Sequence, residues 1–115
     1  RYKEIQPNAK FFLTTMPRGI KYGPEQKRKE IAELIYAIAE KFDNCYVIDL
    51  FRYAPPYDEF YAEKFMLFGH FTPCGYALTA KMMMSYIDYI IRNNPEDFSQ
   101  AGFIGTPFHN STAKW

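Results

Sequence analysis

The chain has 115 residues, a mass of 13.6 kDa and a formal charge of +1, which is one domain at most. Apolar residues make up 48% of it, enough for a packed core, and 14 basic residues stand against 13 acidic ones. That balance argues against a nucleic-acid partner, which calls for a phosphate-neutralising basic face. No apolar run approaches the roughly 18 residues of a membrane span. Asp49 interrupts one candidate run, and Ser85 and Asp88 the other, so no membrane contact is expected. No secretory leader is visible, and two cysteines make no disulfide scaffold. The expected compartment is the cytoplasm, where unpaired thiols persist. The chain begins at Arg1, and a longer parent protein is expected.

In chain order, Lys10-Phe11-Phe12-Leu13-Thr14-Thr15 is a short apolar run bounded by Pro7-Asn8 and Pro17-Arg18-Gly19. It predicts a strand buried on both faces. Gly23-Pro24 then opens a predicted helix that reaches Phe42. Pro24 suits the first helical position and Glu25 the first turn. Ile31, Leu34, Ile35, Ile38, Ala39 and Phe42 recur at helical spacing and predict its core face. The positions between them, Arg28 included, read as a solvated charged face. Cys45-Tyr46-Val47-Ile48-Asp49-Leu50-Phe51 predicts a second strand. Strand, helix and strand together make a right-handed unit with parallel strands.

A long aromatic-rich connection follows, stopped by Pro55-Pro56, with a short helix expected within 58–68. Thr72 is a helix cap and Pro73 suits the first helical position of a second long helix, to about Arg92. Ala80, Met83, Met84, Ile87, Ile90 and Ile91 predict its core stripe, broadened by Met82, Tyr86 and Tyr89. Asn93-Asn94-Pro95 end it. Residues 1–94 thus read as the domain and 95–115 as a C-terminal tail lying against the body. The order β-α-β-loop-α supplies two parallel strands, whereas parallel sheets usually carry several and are covered on both faces. Because an open apolar edge recruits partners, further strands are expected from an N-terminal segment or a second chain.

The informative stretch is Leu67-Phe68-Gly69-His70-Phe71-Thr72-Pro73-Cys74-Gly75-Tyr76. It puts a histidine just before a helix start, at the end of the sheet where ligands bind in open α/β folds. The spacing Gly-His-x-Thr-Pro-x-Gly-Tyr resembles the last conserved block of SGNH hydrolases, the GDSL-type esterase and lipase family. The order of strand, helix, strand and His-helix block also resembles that family's C-terminal half. The resemblance spans residues 10–93. It implies an α/β fold, the C-terminal part of a flavodoxin-like, three-layer parallel sheet. It also implies a serine ester hydrolase acting on a carboxylic ester or O-acyl carbohydrate, with His70 as general base.

Two departures stand beside the resemblance. No Gly-Asp-Ser occurs, and Ser85, Ser99 and Ser111 do not stand in a strand-to-helix turn, so the nucleophile must lie outside this chain. The family's Asp, three residues before the His, is replaced by Leu67. Asp49, Asp58, Glu59 and Glu63 are conceivable substitutes, none favoured by spacing. Asp49 reads better as a capping carboxylate, and a backbone carbonyl holding the imidazole would leave a Ser-His dyad.

Arg18, after the first strand, is a candidate substrate-binding group for a carboxylate or acyl carbonyl, weighed equally against a plain loop arginine. Cys74 is a rival nucleophile in a first helical turn, though a small buried side chain is the commoner reading. A Cys45–Cys74 disulfide is not expected, and His109 reads as a surface residue. The aromatics Phe51, Tyr53, Tyr57, Phe60, Tyr61, Phe65 and Phe68 either line an acyl or sugar pocket or cover the sheet. No metal-ligand spacing, phosphate loop or dinucleotide fingerprint appears, so no metal and no cofactor is expected. The alternative function is a non-catalytic α/β interaction domain, which the loss of the Asp at Leu67 favours.

Overall fold

Parallel pairing of two short apolar runs organises the chain, and a computed structural model describes it over residues 1–5 and 7–99. A one-turn helix, α1 (Tyr2–Ile5), comes first, and sequence reading had not singled it out. Strand β1 (Phe11–Thr14) pairs with β2 (Cys45–Ile48), with Phe11 opposite Cys45 and Thr14 opposite Ile48. Helix α2 (Glu25–Ala39) connects them. A short helix α3 (Leu50–Tyr53) follows β2 directly, then α4 (Glu59–Phe65). A hairpin of β3 (Met66–Leu67) and β4 (His70–Phe71) leads into the long helix α5 (Pro73–Asn93). The fold is mixed α/β, with a two-stranded parallel sheet and helices.

Side chains alternate across the strands and so divide between two helical layers. Phe12, Tyr46 and Ile48 meet Met82, Met83, Tyr86, Ile87 and Ile90 of α5. On the opposite face Phe11, Leu13 and Cys45 border a groove with Ile38 of α2 and Phe42. Phe98 stacks on Phe12 and Tyr46, at 6.0 and 5.3 Å between ring centroids, and the Tyr46 hydroxyl donates to Asp97. The rest of the expected tail, with Phe103, Ile104, Phe108, His109, Ser111 and Trp115, lies outside the described residues. Cys45 and Cys74 are free thiols. Among the described residues no helix is long and apolar enough to cross a membrane.

Two element ends fall short of the expected ones. The second strand stops at Ile48 instead of Phe51, because Asp49 caps α3 by accepting the Arg52 N–H at 3.2 Å. Helix α2 stops at Ala39 instead of Phe42, where the Phe42 N–H turns back to the Ala39 carbonyl.

The core face of α2 also differs. Ala32 and Arg28 are buried; of the expected core stripe Ile35 and Ala39 are half-buried, whereas Ile31, Leu34, Ile38 and Phe42 are exposed, Leu34 by 63% and Ile38 by 48%. The rotation has a cause. Tyr36 reaches across the end of β2 to Asp49 at 2.8 Å, so the flank of α2 turned away from Tyr36 projects past β1. The Phe11 and Thr15 amides bond Asn44 and Ile48. Strand alternation therefore turns the polar backbone of Phe12 and Thr14 to the other edge. Among the described residues no strand pairs there. Of the exposed flank of α2, Ile38 borders the groove with Phe11 and Leu13 of β1.

Two glycines are set by close approach. At Gly19, with φ +123°, a Cβ would fall 2.3 Å from the Tyr57 carbonyl oxygen. At Gly75 it would fall 2.3 Å from that of Phe65, which also accepts the Thr72 N–H at 2.9 Å. Gly75→Ala is expected to cost about 1–3 kcal/mol, as overpacking against fixed backbone does. Urea unfolding measures it, and a conservative surface change such as Leu34→Lys on the exposed flank should stay within about 0.5 kcal/mol.

Candidate functional site

The carboxyl end of the sheet is built around Asp49. Its carboxylate is buried, and it accepts from the Thr15 hydroxyl at 3.1 Å, the Tyr36 hydroxyl at 2.8 Å and the Arg52 N–H. The Arg52 guanidinium stands 3.5 Å from its second oxygen and lies over the Tyr36 ring at 4.7 Å. Thr15 in turn accepts the Phe51 N–H at 2.9 Å. One carboxylate thus joins the end of β1, the middle of α2 and the start of α3. Burial, then the hydrogen bond to Asp49, pushes the Tyr36 phenol up to about 12.

The loop after β1 carries Arg18. Its carbonyl accepts the Tyr57 N–H at 2.6 Å, and the Lys21 N–H donates to the Tyr57 carbonyl at 3.2 Å. The Gly19 N–H donates to Glu25 at 2.9 Å. The Arg18 side chain is exposed and forms no ion pair among the described residues. The Tyr57 ring meets the Tyr61 ring at 4.9 Å and the Phe71 ring edge-on at 6.1 Å. Through Tyr57 the Arg18 loop and the His70 hairpin belong to one assembly.

His70 lies in β4, not in a plain loop. The turn before it uses Phe68 (φ 49°) and Gly69 (φ 80°), both left-handed, as a two-residue type I′ hairpin requires. Leu67 pairs directly with His70 across the hairpin. Paired residues share a face, with Cβ atoms about 4.5–5.5 Å apart, so residue 67 is beside the imidazole, and it is a leucine. The His70 side chain is exposed and has no hydrogen-bond partner among the described residues. Next in sequence, Thr72 caps α5 by accepting the Gly75 N–H at 3.2 Å.

The four conceivable substitute carboxylates are engaged elsewhere. Asp49 holds the hub just described. Asp58 caps α4 through the Tyr61 N–H at 2.8 Å. Glu59 pairs with Lys21 and Glu63 with Lys64, each at 2.9 Å. Among the described residues none bonds His70. Cys74 is exposed in the first turn of α5 rather than buried, and it makes no bond to His70.

The aromatics separate into two groups. Tyr57 and Tyr61 are buried cover, whereas Phe60 and Phe68 point outward. Burial pushes the Tyr57 phenol up to about 12. An apolar groove of about 660 Å³ lies between α3 and α5, bordered by Leu50, Tyr53, Ala54, Met82 and Tyr86. Sequence reading missed Thr15, Tyr36 and Arg28 at this end. They meet their partners from positions far apart in the chain, and no local spacing signals that. No protein-family model, curated protein or solved structure matches the chain.

Asp49→Ala is expected to lower stability by about 1.5–3 kcal/mol, the range for hydrogen bonds to a charged group, as read by urea unfolding. Tyr36 supplies a pH test. A phenol raised from about 10 to about 12 contributes stability that is fully present below pH ~10. That stability is lost as pH rises through about 12, since the folded state holds the proton more tightly. Absorbance titration should find that the amplitude above pH 11 falls by one tyrosine in Tyr36→Phe, with the rest, Tyr57 included, unchanged.

Proposed function

We propose that this chain is the C-terminal part of an SGNH-type serine ester hydrolase, with His70 as general base to a serine outside residues 1–115. One observation carries the reading. Within the stretch 69–76, the neighbours of His70 have folding duties. Gly69 completes the turn, Phe71 packs on Tyr57 and Tyr76, Thr72 caps α5, Pro73 opens it, and Gly75 admits the Phe65 carbonyl. His70 has none. An exposed imidazole at the same end of the fold as Arg18 is available for proton transfer.

In this reading the serine hydroxyl attacks the ester carbonyl while its proton passes to His70. The bond to the alcohol breaks, and His70 returns that proton to the departing oxygen. Water then repeats the sequence and releases the acid. Arg18 meets the acyl carbonyl or a substrate carboxylate. The groove beside Tyr53 and Leu50 suits an apolar acyl group. With Leu67 opposite His70, a Ser-His dyad is the working unit.

The open edge of β1, with the exposed Ile38 of α2 beside it, is where the remaining strands of a flavodoxin-like sheet pair in this reading. An N-terminal segment or a second chain supplies them. No cofactor, nucleic acid or membrane enters this account, and the cytoplasm is the compartment proposed. Leu67 favours a second reading, a non-catalytic interaction domain with a decayed site.

A fluorophosphonate probe on the assembled protein separates the two. Serine labelling that falls by about 10³-fold or more in His70→Ala supports the hydrolase, and the 115-residue chain alone should stay unlabelled. Leu67→Asp should speed labelling by about tenfold or more, as an oriented imidazole does. Labelling indifferent to His70→Ala overturns His70 as the base, and absent labelling supports the interaction domain.

A further inference from the structure

Among the described residues two charged side chains are buried, Asp49 and Arg28, and their surroundings differ. Asp49 is fully answered by its donors. Arg28 is 4% exposed, and its Nη1 donates to the Pro17 carbonyl at 3.2 Å. Its guanidinium carbon lies 5.5 Å from the centre of the Tyr57 ring. Its Nη2 is buried with no acceptor, and Arg28 forms no ion pair among the described residues. Glu25, one turn earlier, gives its Oε2 to the Gly19 N–H. The Tyr61 hydroxyl is also buried without a partner, and its ring lies 4.9 Å from that of Tyr57. Arg28 is thus the one buried charge among the described residues left with a donor unanswered.

A guanidinium stays charged at every pH at which proteins fold, and a buried cation without a counter-charge is strongly unfavourable. The cation–π contact and one carbonyl offset only part of that. The missing group must accept hydrogen bonds and carry negative charge, and a carboxylate matches the planar fork of an arginine. We infer that Arg28 forms a carboxylate-binding site at the carboxyl end of β1, filled by a group outside the described residues. Residues 100–115 contain no Asp or Glu, so no acidic side chain of the tail fills it. Two sources share this chemistry. One is a free carboxylic acid, the product of ester cleavage, and this source rests on the hydrolase reading. The other is an Asp or Glu side chain on the segment that pairs with β1, and it holds whether or not the assembly is a hydrolase.

Thermal melts of the 115-residue chain and its Arg28→Met variant, in sodium acetate and in sodium chloride at equal ionic strength, test the site. Acetate that raises the wild-type Tm saturably, by roughly 3 °C or more, with no such effect in Arg28→Met, supports the site with a free acid as its source. A variant that melts above the wild type, with no acetate effect in either, supports a tethered side chain as the source. A variant that melts at or below the wild type, or fails to fold, with no acetate effect on the wild type, overturns the site. Arg28→Lys keeps the charge and loses the fork. An acetate shift that survives undiminished in Arg28→Lys also overturns it.

Discussion

Where β2 ends, the Asp49 carboxylate gathers the Thr15 hydroxyl, the Tyr36 hydroxyl and the Arg52 amide into one buried cluster. Much of the molecule follows from that cluster. It stops the strand and starts α3. It fastens β1 to the same end. By holding Tyr36 it sets the rotation of α2, and that rotation turns Arg28 inward and leaves Ile31, Leu34 and Ile38 exposed. Among the described residues the parallel sheet has two strands, and the apolar flank of α2 stays exposed beside it.

The same end of the fold divides its residues by task. Tyr57 is held by backbone bonds to the Arg18 loop and carries the Phe71 ring. The hairpin therefore sits on a packed aromatic base, and α5 begins from a capped and closely packed first turn. These contacts account for the neighbours of His70 and leave the imidazole itself without a structural duty. A histidine that projects from a rigid support is suited to a reacting group, because its position is set by others while its nitrogens stay accessible. Residue 67 faces residue 70 directly, and in this chain the facing residue is a leucine.

Both strands, both long helices, the Thr72 cap and the capping role of Asp49 were legible in the sequence, since each rests on local pattern or local chemistry. The rotation of α2 was not legible. Its apolar stripe reads as a core face, and only the Tyr36–Asp49 bond, between residues on separate elements, decides otherwise. Arg28 reads as solvated for the same reason, because its burial depends on Pro17 and Tyr57. The hairpin escaped notice since Phe68 occupies a left-handed turn position that sequence patterns assign to glycine or asparagine. Of the candidate site, His70 was singled out by a family resemblance and Arg18 by its place after β1, and both side chains are exposed. That Asp49, Asp58, Glu59 and Glu63 are all committed to other partners required the three-dimensional arrangement.

The account's central claim is that these residues complete their sheet, and gain their nucleophile, from outside themselves. The most direct measurement is the reading frame of the transcript upstream of Arg1. The account predicts an apolar strand that ends in a serine at a strand-to-helix turn, with further apolar strands before Arg1 to lie along β1. A frame that opens close to Arg1, with no such segment, would contradict it.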